Sequence, residues 1–258
     1  MTVRLIVNAD DLGLAPEVDR GIERAAAAGV VTSATLMVTT PHAEAGAAAA
    51  RRLRAAGLSV GLHVDLVTGR PAADPRLVAP LLGGEGGFPR DAASRAAALE
   101  GPAAADAATH EVRAQVRRFE ALVGGPPTHF DSHKHTHRDH AAVRHAVADA
   151  AARLGAPVRA QRADVRAALR AAGLRTPDAF VGDVSAEPYW TLGRLLATIG
   201  ALGPGTTELM CHPGEPMGPV PGLFYLGQRA AELAALLDPR VPAALAAAGV
   251  RLVSFADL

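Results

Sequence analysis

The stretch HFDSHKHTHRDH, residues 129–140, holds five of the ten histidines, two aspartates and the only lysine of a 258-residue chain. Imidazoles and carboxylates at this density serve two kinds of chemistry, coordination of a divalent cation and proton transfer near neutral pH. Groups of the same character stand at three other places: Asn8, Asp10 and Asp11 in NADDLG, His63 and Asp65 in GLHVDL, and His212 in CHPG. Each alone has an ordinary explanation. A DD pair caps turns, a lone histidine packs part-buried, HPG makes a turn, and a histidine-rich tract can be a solvated loop. Pro16, suited to the first turn of a helix, stands several residues after the DD pair and weakens the capping explanation for it.

Spacing limits what the cluster can do. In an extended chain His129, Asp131, His133, His135 and His137 share one face, while Phe130, Ser132, Lys134 and Thr136 take the other, so Lys134 is expected to face away. Residues i and i+2 of a strand lie about 6.6 Å apart, whereas the donors around one ion each approach it to about 2.0–2.2 Å. One ion therefore takes one or two residues of this segment. The rest orient ligands, touch substrate or face solvent, and Asp131 is suited to holding an imidazole in one tautomer. Neighbouring strand residues point opposite ways, so Asp10 and Asp11 can serve one site only if the chain turns at one of them.

The elements that must position these groups are legible as apolar runs. Strands are expected at 4–9, 30–38, 58–66, 128–133, 206–211 and 250–255, with weaker ones at 157–160 and 178–184. Helices are expected near 16–29, 41–56, 104–123, 139–154, 188–202 and 227–247. This alternation points to an α/β chain folded as a single domain over residues 1–258, a distorted (β/α) barrel with six to eight mostly parallel strands. An open doubly wound sheet is the other arrangement. In both, function gathers at the C-terminal strand ends, where all four polar groups fall. The Gly/Pro-rich stretches 81–89 and 212–222 are expected as loops over the site.

A formal net charge of zero offers no general attraction for nucleic acid or anionic membrane. Cys211 is the only cysteine, which excludes an intramolecular disulfide and fits a cytoplasmic protein. MTVRLIVNADD has neither a signal-peptide apolar region nor a span of about 20 apolar residues, so the mature chain is expected to begin at or near Met1.

With NADDLG at 8–13, GLHVDL at 61–66, THFDSHKHTH at 128–137 and ELMCHP at 208–213 in this order, the chain resembles the YdjC-like family of carbohydrate deacetylases. The resemblance implies a divalent metal, magnesium, held by Asp11, His63 and His133, with Asp10 as general base. Similarity to the broader metal-dependent deacetylases implies His212 as general acid, which leaves His135 and His137 as expected substrate contacts or tuning groups. It also implies a small N-acetylated carbohydrate as substrate, attack of metal-activated water on its amide carbonyl, and a homodimer. By softness alone, two nitrogens and one carboxylate suit Zn²⁺ or another transition metal better than Mg²⁺.

Two further readings compete. A metal-dependent phosphoesterase would use similar strand ends, although no glycine-rich phosphate loop or arginine cluster stands beside the motifs. A non-catalytic, metal-dependent carbohydrate-binding protein would need neither Asp10 nor His212. The pairs Tyr189–Trp190 and Phe224–Tyr225 are either a sugar platform or ordinary core.

Overall fold

The computed structural model describes residues 2–184, 187–219 and 225–258. Strand β1 (Val3–Leu12) sorts the molecule into two interiors by its alternation. Leu5, Val7 and Ala9 enter the main apolar core, while Ile6 belongs to a separate small cluster with Val253 and Phe255. Asn8 and Asp10 follow Ile6 on that second face.

Around β1 lie β2 (Ser33–Leu36), β3 (Ser59–Val64), β4 (Phe130–Ser132), β5 (Ala179–Val181), β6 (Gly205–Cys211) and β7 (Arg251–Leu252). The order is β4-β3-β2-β1-β6-β5, with every pairing parallel, and β7 pairs the first residues of β1. Val158 adds one parallel bridge to Phe130 beyond β4. Seven of the eight expected strands are thus found, that at 250–255 as two residues, and 157–160 contributes only the Val158 bridge. The sheet curls into a half-barrel, as expected of a distorted barrel. Between its edges runs a single hydrogen bond rather than a ladder, Val158 N to Arg175 O at 3.0 Å.

The helices are α1 (Pro16–Ala27), α2 (Ala43–Ala55), α3 (Ala92–Glu100), α4 (Pro102–Val123), α5 (Thr136–Asp139), α6 (Ala141–Leu154), α7 (Ala163–Ala171), α8 (Leu192–Gly200), α9 (Gly227–Leu236) and α10 (Arg240–Ala247). The single helix expected at 227–247 is broken in two at Asp238–Pro239, because proline lacks the N–H that would continue α9. Helices α3, α5 and α7 lie outside the expected set. Among the described residues no helix is long and apolar enough to cross a membrane.

The lower end of the half-barrel is closed by the C-terminal segment. Phe255 N donates to Ser33 Oγ and Ala256 N to Ser59 Oγ, both at 3.2 Å. The Phe255 ring stacks on His129 at 3.9 Å. Above this plug the interior is polar: Asn8, Asp10, His129, Asp131, Arg159 and Glu208 are all buried there. A buried polar set survives only if its members satisfy one another, and the hydrogen bonds below show how they do.

Candidate active site and metal centre

The upper end of β1 turns as the adjacent acids require. Its register against β2 steps from Ala9↔Ala34 to Leu12↔Leu36, three residues against two, which is a bulge. Asp11 takes φ 70°, a left-handed conformation that aspartate tolerates better than most residues. The bulge lets Asp10 and Asp11 line the same cavity.

β3 and β4 bring His63 and Asp131 side by side as register partners. His63 Nδ1 lies 2.7 Å from Asp131 Oδ1, and Thr35 Oγ1 donates to Asp131 Oδ2 at 3.0 Å. A carboxylate only accepts, so Nδ1–H of His63 donates, and Nε2 faces Asp11 Oδ1 at 3.3 Å. Asp131 is therefore where an orienting partner is expected.

Beyond Ser132 the expected alternation ends. His133–His135 is a turn in which Lys134 (φ 50°) and His135 (φ 56°) are both left-handed, and α5 follows. Two sequence expectations are corrected by this turn, and for His137 the choice between substrate contact and tuning group is narrowed. His133 swings to Asp11, with Nδ1 3.0 Å from Oδ1, instead of continuing a row. Lys134 lines the cavity rather than facing away. His137 is fully buried and contacts no substrate space: Ser132 Oγ lies 2.5 Å from its Nδ1, and its Nε2–H donates to Arg159 O at 3.1 Å. Burial pushes the His137 pKa down to about 4, so it is a neutral structural imidazole. His135 does line the cavity and pairs with Gln161 at 3.1 Å.

Asp11, His63 and His133 place one donor atom each within 4.8 Å of one another. Burial opposes a charged His63, but Asp131 and Asp11 beside it hold its pKa well above the ordinary value. Burial likewise opposes an ionised Asp11, yet Arg229 and His133 hold its carboxyl well below the usual range. A ring flanked by two carboxylates calls for positive charge, and a divalent cation among His63 Nε2, Asp11 and His133 fits that demand. A second grouping, Asp10, His63 and Asp131, fits less well, because both of its acids already bind Arg159.

Asp10 is held as a bidentate partner of Arg159, Oδ1 to Nη2 at 2.7 Å and Oδ2 to Nη1 at 2.6 Å. Asn8 Nδ2 also donates to Oδ1 at 2.9 Å, which leaves Oδ2 the less occupied oxygen. His212 follows β6, and its backbone N–H donates to Glu232 Oε2 at 2.6 Å. Its Nδ1 is buried without a hydrogen-bond partner, so Nε2 is the nitrogen left for the cavity. Burial lowers the His212 pKa against the pull of Asp11 and Asp10.

Arg159, Arg229 and Glu232 were not among the residues singled out from sequence. Arg229 Nη2 lies 2.5 Å from Asp11 Oδ2, which turns Oδ1 to the imidazoles. Glu232 ties His212 to Tyr225, whose hydroxyl donates to Glu232 Oε1 at 2.5 Å. The Arg-x-x-Glu spacing in α9, one face of a helix, was the available signal. Of the aromatic pairs, Trp190 is core, 1% exposed and bonded to Met210 O at 2.7 Å. Tyr225 lines the cavity, and Phe224 lies outside the described residues. Asp65 is a loop anchor, accepting from Val67 N and Thr68 N at 2.9 Å. The 81–89 loop borders a separate groove with Thr39, Gly69 and Arg118 rather than covering this site.

Fold and site together define a (β/α)-barrel protein that collects a carboxylate–imidazole centre at its C-terminal strand ends, inside a cavity of about 440 Å³. The chain belongs to the YdjC-like protein family, whose family model matches residues 4–247. A carbohydrate deacetylase of Geobacillus stearothermophilus is 41% identical over 254 residues, covering 98% of this chain and 96% of that protein. A chitooligosaccharide deacetylase of Serratia marcescens is 36% identical over 262 residues, with 98% of each covered. A crystal structure from Enterococcus faecalis V583 superposes with a TM-score of 0.85 at 24% identity, covering 100% of this chain and 99% of the other, and shows the same fold.

Proposed function

We propose that the protein is a divalent-metal-dependent carbohydrate N-deacetylase that hydrolyses the acetamide of a small N-acetylated, chitooligosaccharide-like sugar. The observation that carries this reading is the convergence of Asp11 Oδ1 with His63 and His133, at 3.3 and 3.0 Å, beside an Asp10 that faces the same cavity. The relatives named as carbohydrate and chitooligosaccharide deacetylases support it.

Asp11, His63 Nε2 and His133 Nδ1 hold the metal, magnesium by family resemblance, which when bound activates water and polarises the acetyl carbonyl. Asp131 keeps His63 in the tautomer that presents Nε2. Asp10 receives the water proton at Oδ2, the oxygen with a lone pair to spare, while Arg159 fixes the carboxylate plane. His212 delivers a proton from Nε2 to the departing amine nitrogen. His135, Tyr225 and Lys134 border the sugar.

The reading takes residues 1–258 as one catalytic domain, supported by an apolar core that runs from Leu5 to Leu245. It places the enzyme in the cytoplasm, which the lone buried Cys211 fits, and as a homodimer by family resemblance alone. Phosphoester chemistry is disfavoured because the two arginines nearest the centre are engaged by Asp10 and Asp11. A non-catalytic sugar-binding role leaves Asp10, a carboxylate held at the cavity wall by Arg159 and outside the ligand set, without a purpose.

The test is acetate release from a panel of N-acetylated sugars that begins with the N-acetylglucosamine dimer, with bound metal assayed alongside. Release that stops on chelation and returns with added metal is expected. Metal-loaded protein that releases acetate from no member overturns the reading for those substrates.

A further inference from the structure

Beneath the cavity one guanidinium is shared by three carboxyl groups. Arg159, 0% exposed, donates from Nε to Glu208 Oε1 at 2.7 Å and from both Nη groups to Asp10. Its Nη1 also lies 3.0 Å from Asp131 Oδ2, and the Phe180 ring centroid is 5.5 Å from its Cζ. Glu208, on β6, is also 0% exposed, and its Oε2 has no hydrogen-bond partner.

Charge and geometry together decide the state of Glu208. The charged groups facing it are Asp10 on β1, Asp131 on β4 and Arg159 beside the Val158 bridge; its partner on β5 is the uncharged Phe180. With Asp10 and Asp131 ionised, the single guanidinium is already outnumbered. An ionised Glu208 would add a third negative charge and leave Oε2 anionic in a dry site with no donor. The neutral acid still offers Oε1 to Arg159 Nε. Burial, with Asp10 and Asp131 acting in the same sense and Arg159 opposing, pushes the Glu208 pKa up to about 8.

We propose that Glu208 is a positioning residue: as a neutral acid it holds Arg159 by Nε and thereby aims both Nη groups at Asp10, keeping that carboxylate fixed at the cavity wall. The inference rests on Asp10 being the base. A guanidinium is planar, so fixing Nε fixes the directions of the other donors. Without that grip Arg159 can rotate between Asp10 and Asp131. When Glu208 ionises it competes with Asp10 for the same cation, so activity falls on the alkaline side.

The experiment uses the full, metal-loaded chain with Glu208→Gln, which keeps an acceptor and cannot ionise, and Glu208→Met, of similar size without an acceptor. On the N-acetylglucosamine dimer, Gln is expected within about threefold of the parent kcat and without its alkaline fall. Met is expected to lose about tenfold or more in kcat with KM and metal content unchanged, as a displaced catalytic group does. A Met variant with parental kcat, or a Gln variant that is impaired at neutral pH or keeps the alkaline fall, overturns the inference. If Met does not fold, Gln alone decides through those two readouts. A stability cycle of Glu208→Met, which removes the acceptor for Arg159 Nε, with Asp10→Asn separates this inference from the deacetylase reading, because it needs no turnover. Non-additive denaturation midpoints support the link through Arg159, and additive ones overturn it even if the dimer is no substrate.

Discussion

Asp131 Oδ1 lies 2.7 Å from His63 Nδ1, and the two residues are register partners on adjacent parallel strands. The contact is therefore built into the sheet rather than into a loop, and it points His63 Nε2 at Asp11. Removing an orienting carboxylate from a ligand histidine weakens metal affinity by about 10–100-fold. Asp131→Ala is expected to fall in that range in a chelator competition, with the protein still folded. Affinity equal to the parent would show that the imidazole needs no orienter.

His133→Ala and Asp10→Asn are expected to separate two functions that neighbour each other in the cavity. His133 offers Nδ1 to the cluster, so its loss should abolish stoichiometric metal binding. Asp10→Asn keeps all three ligands and should retain the metal while turnover falls by about 10²–10⁴-fold, the usual span for a general base. Metal analysis and acetate release on the same preparations check both. Metal retained by His133→Ala would break the ligand assignment.

The acid stability of the fold should report His137. Its folded pKa of about 4 stands below the ordinary 6.5, so between these values the unfolded chain binds a proton that the folded chain does not. Stability from this residue is complete above the upper value and is lost as pH falls to the lower one, a change of about 3 kcal/mol. His129, lowered to about 3 by burial, acts in the same direction. His137→Gln is expected to flatten the decline in denaturation midpoint between about pH 7 and about pH 5. An unchanged slope would mean that His137 is not the neutral buried group its contacts describe.

Gly21 is a hidden determinant of the His212 loop. A Cβ at Gly21 would sit 2.4 Å from Gly214 Cα, and Gly214 N donates to Arg229 O at 3.2 Å. Gly21→Ala must push the segment after His212 off α1, at about 1–3 kcal/mol in stability. Lower kcat with full metal content is the expected result, read by thermal denaturation and acetate release. Parental kcat would show that His212 does not depend on that seat.

Much of the architecture was legible because each expected strand is a short apolar run at a regular interval, and a parallel sheet demands such runs. The breaks were less legible. At Pro239 a chemical rule was available and would have divided the last helix, whereas α3 and α7 carry alanine-rich patterns too weak to mark their ends. Within the site, Asp10, Asp11, His63, His133 and His212 could be singled out because carboxylates and imidazoles next to strand ends are rare. Arg159 could not, and Arg229 and Glu232 offered only their i, i+3 spacing, because arginine and glutamate on helices and short edge segments are usually surface groups.

The sequence by itself determined which chemistry is available, since residue types and their order along the strands are written in it, and it required a turn at the adjacent acids. The tertiary structure alone decided how the residues divide that chemistry. Alternation predicted His133, Lys134, His135 and His137 from a continued strand, but the chain turns left-handed at Lys134 and His135. That turn sends His133 to Asp11 and Lys134 into the cavity, and buries His137 beneath Arg159. Backbone periodicity is a local property, whereas these partners lie more than twenty residues away in sequence, and only the folded sheet brings them within hydrogen-bonding reach.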